Sequence, residues 1–369
     1  MKKASFKSLI CLLALLVFLS SCGLSAEEEE EDGGFDPTMN VMLVLDEEGF
    51  GDNSYNDLCW AGLERARDEL NVEISYIRAG DQDHYADAIT SAVNSEVVLI
   101  ICADPSMAEA LTVLAAQYPA QAFAIIDTDL DCGNNVTSIS FNAEEGSFLA
   151  GIIAGLTSKN HVVSFIGGKS SDAAQNRYLY GFEAGVSTAN RNTQIGVGWV
   201  NSYTDSAAAK KIAVAHGALF SDVMFEAVGN AGEGVVSAGR ERGFSVIYAG
   251  KDGDYLNGEL VSEEAGDELN DDSKDEAPFE PVLCSLVKKA DLAIFEVVES
   301  YIQGSFYENG DVVYTLANGG VDISDPRGHI PPAVMAIVNN YKSQIIDGSL
   351  EIPDNWVSWY NYVNSLPEQ

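Results

Sequence analysis

The 369-residue chain carries 57 acidic residues against 20 lysines and arginines, which gives a formal net charge of −37 at pH 7. It lacks the basic surface that nucleic acids or an anionic membrane require, so neither is expected as a direct partner. About 330 residues follow the leader and tether of residues 1–38, more than one hydrophobic core usually holds, and two lobes are therefore predicted.

Residues 1–21 have the composition of an export signal. Three lysines precede a mainly apolar run, Ser8 to Leu19, which is shorter than the roughly 20 residues of a membrane-spanning helix. The run ends in Leu19-Ser20-Ser21-Cys22, which resembles the lipobox of bacterial lipoproteins. We therefore expect a lipidated Cys22 that anchors the protein to a membrane of the cell envelope, facing the periplasm or the exterior. An ordinary signal peptide with a chance cysteine is the alternative.

Residues 22–38 are predicted to be an acidic tether. Glu27 to Asp32 are six consecutive acids, which repel one another and cannot bury apolar area.

From residue 39 onward, short apolar runs alternate with amphipathic stretches, the pattern of βαβ units and parallel sheets. The predicted strands are Asn40–Leu45, Val72–Ile77, Val97–Cys102, Ala122–Ile126, Val136–Phe141, Val162–Ile166, Ile195–Val200, Asp222–Val228 and Ser245–Tyr248. Helices are predicted from Asn53 or Ser54 to Leu70, from about Tyr85, at Pro105–Gln117, Glu144–Leu156, Tyr178–Ala189, Ser206–Phe220 and Glu233–Glu241. The pattern restarts near residue 144, so two successive doubly wound sheets are expected.

Four cysteines lie beyond Cys22, at positions 59, 102, 132 and 284, with no C-x-x-C pair. This spacing argues against a zinc site, and the four histidines show no metal-ligand spacing either. Disulfides are possible in an exported protein. Buried free thiols are favoured, because Cys59 falls on a helical pattern and Cys102 ends a strand pattern.

The segment 259–277 breaks the alternating pattern. Glu259 to Glu276 contains nine acids, one lysine and few apolar residues. It lacks the regular acidic spacing of a calcium loop, so a solvated insertion is predicted.

Polar loops follow several predicted strands, where open α/β sheets bind their ligands. Asp52 and Asn56 follow the first strand, Asp127 follows Ala122–Ile126, Gly229 follows Asp222–Val228, and Asp252 follows Ser245–Tyr248. A carboxylate and an amide together can bind a base edge or sugar hydroxyls. Helix capping is the simpler explanation for residues 52–54, but polar loops at four strand ends are what lines a cleft between lobes.

An ordered set of motifs resembles the basic membrane protein family, the PnrA-like purine-nucleoside-binding lipoproteins of ABC transporters. From about residue 40 to 325 these motifs are Asp52-x-Ser-Tyr-Asn56, Phe123-Ala-Ile-Ile-Asp127, Glu144-Glu-Gly-Ser-Phe-Leu-Ala-Gly151, Phe165-Ile-Gly-Gly168, Ala227-Val-Gly-Asn-Ala-Gly232, Gly250-x-Asp-x-Asp254, Ser285-x-x-Lys288 and Gly319-Gly-Val321.

The resemblance implies a type I periplasmic-binding-protein fold of the α/β class, with two Rossmann-like lobes, parallel sheets and a three-crossover hinge. Lobe 1 is expected to comprise 39–145 plus about 285–310, and lobe 2 to comprise 146–284 plus about 311–369. The expected partners are an ABC permease and an ATPase. No metal or other cofactor is expected, and the protein is expected to be a monomer.

The resemblance also implies a binding site for a purine nucleoside. Its residues would be Asp52, Asn53, Ser54, Asn56, Asp127, Gly229, Asp252 and Lys288. Family members stack the base between two aromatic rings, for which Trp60 and Phe225 are the candidates and Tyr55 and Tyr203 the alternates. Packing in the core is the competing interpretation of Trp60 and Phe225.

The chain departs from the family pattern at two of these motifs. Val228-Gly-Asn-Ala-Gly232 stands in place of Ala-Gly-Gly-Thr-Gly, and Gly-Lys-Asp252 stands in place of Gly-Val-Asp, so Lys251 competes for a carboxylate expected to contact the sugar.

Other functions are open at this stage. A sugar, an amino acid or a signalling molecule could occupy the same fold, as could the ligand of a sensor that does not transport. An enzyme is disfavoured: a P-loop ending in Gly168-Lys-Ser170 would need a glycine where Val163 stands, and there is no Gly-x-Ser-x-Gly motif.

Overall fold

A computed structural model describes residues 39–51, 55–250, 280–325 and 327–367. This part of the chain forms two α/β lobes, each built around a six-stranded sheet. The predicted fold class is therefore confirmed.

The first nine described strands fall close to the predicted ones, and the last three were not predicted. In chain order they are β1 (Asn40–Leu45), β2 (Glu73–Arg78), β3 (Leu99–Cys102), β4 (Ala122–Ile126), β5 (Val136–Phe141), β6 (Val162–Gly167), β7 (Gln194–Trp199), β8 (Val223–Ala227), β9 (Ser245–Ala249), β10 (Val282–Lys288), β11 (Val312–Tyr314) and β12 (Val321–Ser324).

The described α-helices alternate with these strands over most of the chain. They are α1 (Tyr55–Leu70), α2 (Tyr85–Val93), α3 (Ala108–Gln117), α4 (Ala143–Thr157), α5 (Ala173–Ala189), α6 (Ser206–Ala218), α7 (Gly232–Arg242), α8 (Ala290–Ile302), α9 (Phe306–Asn309), α10 (Pro332–Ile346) and α11 (Trp356–Ser365).

The two sheets repeat one topology. Lobe 1 has the strand order β11-β5-β4-β3-β1-β2 and lobe 2 the order β12-β10-β9-β8-β6-β7. Every described pairing is parallel except that of β12 with β10. The carboxyl ends of the parallel strands therefore share one edge in each sheet, which is where a doubly wound fold places its ligand.

Helices cover both faces of each sheet, which explains the uniformly apolar central strands. In lobe 1 every residue of β3 and β4 is buried. One hydrophobic cluster runs through both lobes, and each lobe adds a second cluster on the other face of its sheet.

The chain passes between the lobes three times, but at positions that differ from the expected boundaries. The first passage lies at Asn142, because α4 packs against α5 in lobe 2. The second passage follows Lys288 and not residue 285, because β10 pairs with β9 in lobe 2. The third passage lies between Tyr314 and Val321 and not near residue 310. This follows because β11 pairs with β5 in lobe 1 and β12 pairs with β10 in lobe 2. Strand pairing and helix packing, which the local pattern does not encode, fix these points.

Helix α5 begins five residues earlier than predicted, at Ala173. The Asp172 carboxylate caps it by accepting a hydrogen bond from the backbone N–H of Ala174 at 2.9 Å. The helix also lies very close to α4: a Cβ atom on Gly151 would stand 2.3 Å from the carbonyl oxygen of Phe182. The first turns of α5 are therefore held rigidly beside the interlobe crossovers.

Cys59, Cys102 and Cys284 are buried free thiols, and Cys132 is a half-buried free thiol. Burial raises the pKa of Cys102 to about 12. The prediction for Cys59 and Cys102 is confirmed. Within the described residues, no helix is long and apolar enough to cross a membrane.

Candidate functional site

Tyr55, Asp127 and Lys288 meet at the floor of the cleft between the sheets. Asp127 directly follows β4 in lobe 1 and adopts a left-handed backbone conformation, with φ of 55°. Lys288 is the last residue of β10 in lobe 2. Its ammonium donates to both carboxylate oxygens of Asp127 at 2.8 and 2.9 Å, and the Tyr55 hydroxyl donates to Oδ2 at 2.6 Å. The floor of the cleft is thus assembled from both lobes.

Electrostatics favour the ion pair at this position. Lys288 is 4% exposed, and burial alone lowers its pKa, but the neighbouring Asp127 carboxylate outweighs burial, so the net pKa is raised. Burial and the same carboxylate raise the pKa of Tyr55. Lys288 therefore stays protonated and Tyr55 neutral throughout the physiological range.

The site keeps hydrogen-bonding capacity for a ligand. A carboxylate offers about four acceptor positions, of which Asp127 uses three on Lys288 and Tyr55. A hydroxyl that donates to Asp127 could join the existing network without displacing Lys288.

The loop after β1 is held by Asn56, which is fully buried. Its amide Nδ2 donates to Asp46 Oδ1 at 2.7 Å, and its Oδ1 accepts from the Asp46 backbone N–H at 3.2 Å. Asn56 was predicted to contact the base. In the structure its amide fixes Asp46 at the strand end, and the base contact stays a prediction.

Other acids surround this edge of lobe 1. Asp104 follows β3, and burial, together with the charges of Asp46 and Asp127, raises its pKa. The edge therefore carries a negative potential that disfavours anionic ligands.

In lobe 2 the loop after β8 is fixed by two side chains. Gly229 has φ of +59°, a conformation that glycine adopts without strain, and its carbonyl accepts from the Tyr248 hydroxyl at 3.3 Å. The fully buried Glu226 carboxylate accepts from the backbone N–H groups of Val228 and Ala249 at 3.1 and 3.2 Å. One carboxylate thus holds the ends of two adjacent strands.

Tyr203 follows β7 and lies against Gly168, where a Cβ atom would stand 2.1 Å from its ring. Its hydroxyl donates to Asp172 at 2.6 Å. Burial and this carboxylate raise the pKa of Tyr203, which therefore stays neutral. Tyr203 and Tyr55 are thus half-buried rings on opposite lobes, each fixed through its hydroxyl.

A side-chain contact bridges the rim of the cleft. The Asn230 amide donates to the Glu48 carboxylate, joining the loop after β8 in lobe 2 to the loop after β1 in lobe 1. Glu48 is exposed and Asn230 is half-buried, so this contact lies outside the buried floor.

Comparison with known proteins fits this architecture. The family model described as "ABC transporter substrate-binding protein PnrA-like" matches residues 39–356. The chain belongs to this Bmp family. The resemblance inferred from the motifs is therefore confirmed, and the protein is an ABC transporter substrate-binding protein.

Individual relatives cover nearly the whole chain. A CD4+ T-cell-stimulating antigen of Listeria innocua is 30% identical over 366 residues, covering 96% of this chain and 99% of the relative. The ABC transporter nucleoside-binding protein BmpA of Lactococcus lactis is 27% identical, covering 96% and 99%. An ABC transporter system solute-binding protein from Aeropyrum pernix K1 matches in structure with a TM-score of 0.69 and 21% identity, covering 88% and 96%.

Membership of the Bmp family defines the class of partners. A substrate-binding protein of this type receives a small molecule and works with an ABC permease and ATPase. The family is one of solute-binding proteins and not of enzymes. Within the described residues, no group of three or more His, Cys, Asp or Glu side chains could hold a metal ion.

The two rings predicted to stack on the base both pack against other aromatic rings. Phe225 is fully buried and packs against Phe182 and Phe165, at centroid distances of 5.3 and 5.8 Å. It faces the core because its strand is covered on both sides. Trp60 packs against Phe50 and Tyr76 at 5.4 and 5.5 Å, in an aromatic cluster beside edge strand β2.

Several predicted residues cannot be located. Asp52, Asn53, Ser54 and Asp252 lie outside the described residues, as do Cys22, the tether 22–38 and the insertion 259–277.

Sequence reasoning missed Tyr178 on α5. Its ring centroid lies 5.0 Å from the Lys288 ammonium, and its hydroxyl interacts with the same ammonium. An aromatic residue on a helical pattern carries no local signal for this contact. A position 110 residues from Lys288 in sequence reaches it only through the fold of lobe 2.

Proposed function

We propose that this Bmp-family protein binds a purine nucleoside, such as guanosine, inosine or adenosine, between its lobes and delivers it to an ABC importer. The observation that carries the proposal is the floor formed by Tyr55, Asp127 and Lys288. It joins an aromatic ring, a carboxylate and an ammonium from both lobes at the carboxyl ends of their strands. The printed name of the Lactococcus lactis relative, a nucleoside-binding protein, supports the same ligand class.

The chemistry of a nucleoside matches these groups. The base has two π faces, which Tyr55 and Tyr203 could contact from opposite lobes, and stacking on an aromatic ring contributes about 1–3 kcal/mol per base. The ribose hydroxyls could donate to Asp127 and accept from Lys288, and a hydrogen bond to a charged group contributes about 1.5–3 kcal/mol. Asp52, Asn53, Ser54, Gly229 and Asp252 are proposed to complete the base and sugar contacts.

Closure of the lobes is the second part of the proposal. A ligand that contacts both lobes favours the closed state, and the permease receives the protein in that one geometry. The contact between Glu48 and Asn230 at the rim supports a closed arrangement in which the two lobes touch directly.

We further propose that the protein acts as a monomer on the outer side of a membrane, held by a lipid on Cys22. The acidic tether 22–38 would separate the folded lobes from the lipid surface. The strongly negative net charge fits a protein that is held by its lipid and not by its surface.

Mass spectrometry of small molecules released by denaturing the protein, purified from cells grown in rich medium, tests the ligand class. We expect a purine nucleoside at close to one equivalent per chain in a preparation that has not been dialysed. A stoichiometric sugar or amino acid would refute the proposal.

A further inference from the structure

We infer that Tyr178 is a positioning residue that holds the Lys288 ammonium at the floor of the cleft for the ligand. This inference rests on the proposed function, because it assigns Tyr178 a role in binding through Lys288. The alternative role for Tyr178 is to pack in the core only, and its burial is consistent with that role as well.

The geometry places the lysine between two acceptors. Asp127 accepts from the ammonium on the lobe 1 side. On the lobe 2 side, the ammonium lies near the Tyr178 hydroxyl, 5.0 Å from the ring centroid, with the Phe141 ring 5.6 Å away. An ammonium has three N–H donors, of which Asp127 accepts two, and the third is left for the Tyr178 hydroxyl and a ligand. The phenol oxygen supplies the opposing contact.

Tyr178 is itself held in place without any ligand. Its ring packs against Phe225 at a centroid distance of 6.3 Å. The preceding residue, Arg177, donates to both carboxylate oxygens of Glu144 at 2.9 and 2.7 Å and to Asn142 Oδ1 at 3.1 Å. Because Asn142 is the first interlobe crossover, this end of α5 is fixed to the hinge, and the position of Tyr178 is fixed with it.

The consequence is preorganisation of a charged group. A long lysine side chain loses rotamer freedom when it becomes ordered, and a site that orders it beforehand spares the ligand that cost. Tyr178 therefore improves ligand affinity although it acts on the lysine and not on the ligand. Phe225, which is predicted to stack on the base, packs against the Tyr178 ring.

Substitution Tyr178→Phe tests the inference, because it removes the hydroxyl and keeps the ring. We expect about tenfold weaker guanosine binding by calorimetry, the effect of losing one hydrogen bond to a charged group. The matched control is Tyr180→Phe on the same helix, where the ring packs against Trp359 away from the cleft. Tyr180→Phe should bind within twofold of wild type. Equal affinity of Tyr178→Phe and wild type would overturn the inference.

A double-mutant cycle separates positioning from packing. If Tyr178 acts through Lys288, then Tyr178→Phe in a Lys288→Met background should change the affinity by less than twofold. A tenfold loss in both backgrounds would overturn the inference.

The Lys288 ammonium can also be observed directly, which keeps the test valid if Lys288→Met folds poorly. A buried ammonium that exchanges slowly gives a ¹⁵Nζ resonance, assigned here by its absence in Lys288→Arg. We expect Tyr178→Phe to shift or broaden it, and Tyr180→Phe to leave it unchanged. An unchanged resonance in Tyr178→Phe overturns the inference. Failure of wild type to bind any nucleoside overturns the proposed function instead, and the resonance still tests the contact.

Discussion

Lys288 contacts both carboxylate oxygens of Asp127, although the two residues lie 161 positions apart and belong to different lobes. The side chains are 4% and 20% exposed, so the pair is largely removed from water. The pair lies at the carboxyl ends of β4 and β10. It therefore links the two lobes and forms the centre of the candidate site.

Substitution Lys288→Met should reduce the free energy of unfolding by about 3 kcal/mol, because it leaves the Asp127 charge without its buried partner. Urea denaturation at pH 7 measures this change. The control is Lys342→Met, which breaks the pair with Asp322, whose side chains are 28% and 31% exposed. That loss should be at most about 1 kcal/mol. Equal losses in the two variants would show that the buried Lys288–Asp127 pair stabilises the protein no more than a more exposed pair does.

The rim contact between Glu48 and Asn230 should slow release of the ligand. Glu48→Ala removes one exposed interlobe hydrogen bond, and release should become about three- to tenfold faster. Stopped-flow fluorescence measures the rate, and Asn230→Ala should give the same change. The neighbouring exposed residue Glu47, substituted to alanine, is the control. If release rates do not differ between Glu48→Ala and Glu47→Ala, the contact does not act in closure.

Glu183 on α5 should make stability depend on pH. Burial raises its pKa to about 7, against about 4.3 in an unfolded chain. The folded state therefore binds the proton of Glu183 more tightly than the unfolded chain does. The contribution of this proton binding to the free energy of unfolding is complete below about pH 4.3 and is lost as the pH rises through about 7. Glu183→Gln should be about 3–4 kcal/mol more stable than wild type at pH 8 and similar at pH 4. Urea denaturation at both pH values, with the exposed Glu351→Gln as control, tests this; an equal difference at both pH values would contradict it.

Cys22→Ala should release the protein from membranes and leave ligand affinity unchanged, because the lipid is proposed to be its only attachment. Fractionation of cells followed by immunoblotting measures the distribution. The control is Cys11→Ala, which removes a cysteine within the predicted signal peptide and should keep the protein in the membrane fraction. Membrane partitioning of Cys22→Ala equal to that of wild type would refute lipidation at this residue.

The alternating apolar pattern predicted the sheets well because a strand buried on both faces, such as Ala122–Ile126, has a distinctive composition. The same pattern could not identify the stacking rings. Phe225 lies within β8 and Tyr203 follows β7, and only the burial of β8 beneath helices shows that Phe225 faces the core. Trp60 meets Tyr76 because β2 pairs with β1 in parallel, which is a long-range contact.

Asp127 could be proposed as a site residue because it follows a predicted strand, and Lys288 because it lies in a motif of the family, Ser285-x-x-Lys288. Their direct pairing could not, because it depends on where the chain crosses between lobes. Tyr178 had no signal at all: the helix was predicted to begin there, whereas it begins at Ala173 and places Tyr178 in its second turn.

Isothermal titration calorimetry of the mature protein against nucleosides, sugars and amino acids tests the central claim most directly. The protein should first be unfolded and refolded to remove bound ligand. We expect guanosine, inosine or adenosine to bind with one site per chain, and ribose or free base to bind far more weakly because each lacks half of the proposed contacts. If arabinose, ribose or an amino acid binds tightly and no purine nucleoside does, the fold and family stand but the proposed function is wrong.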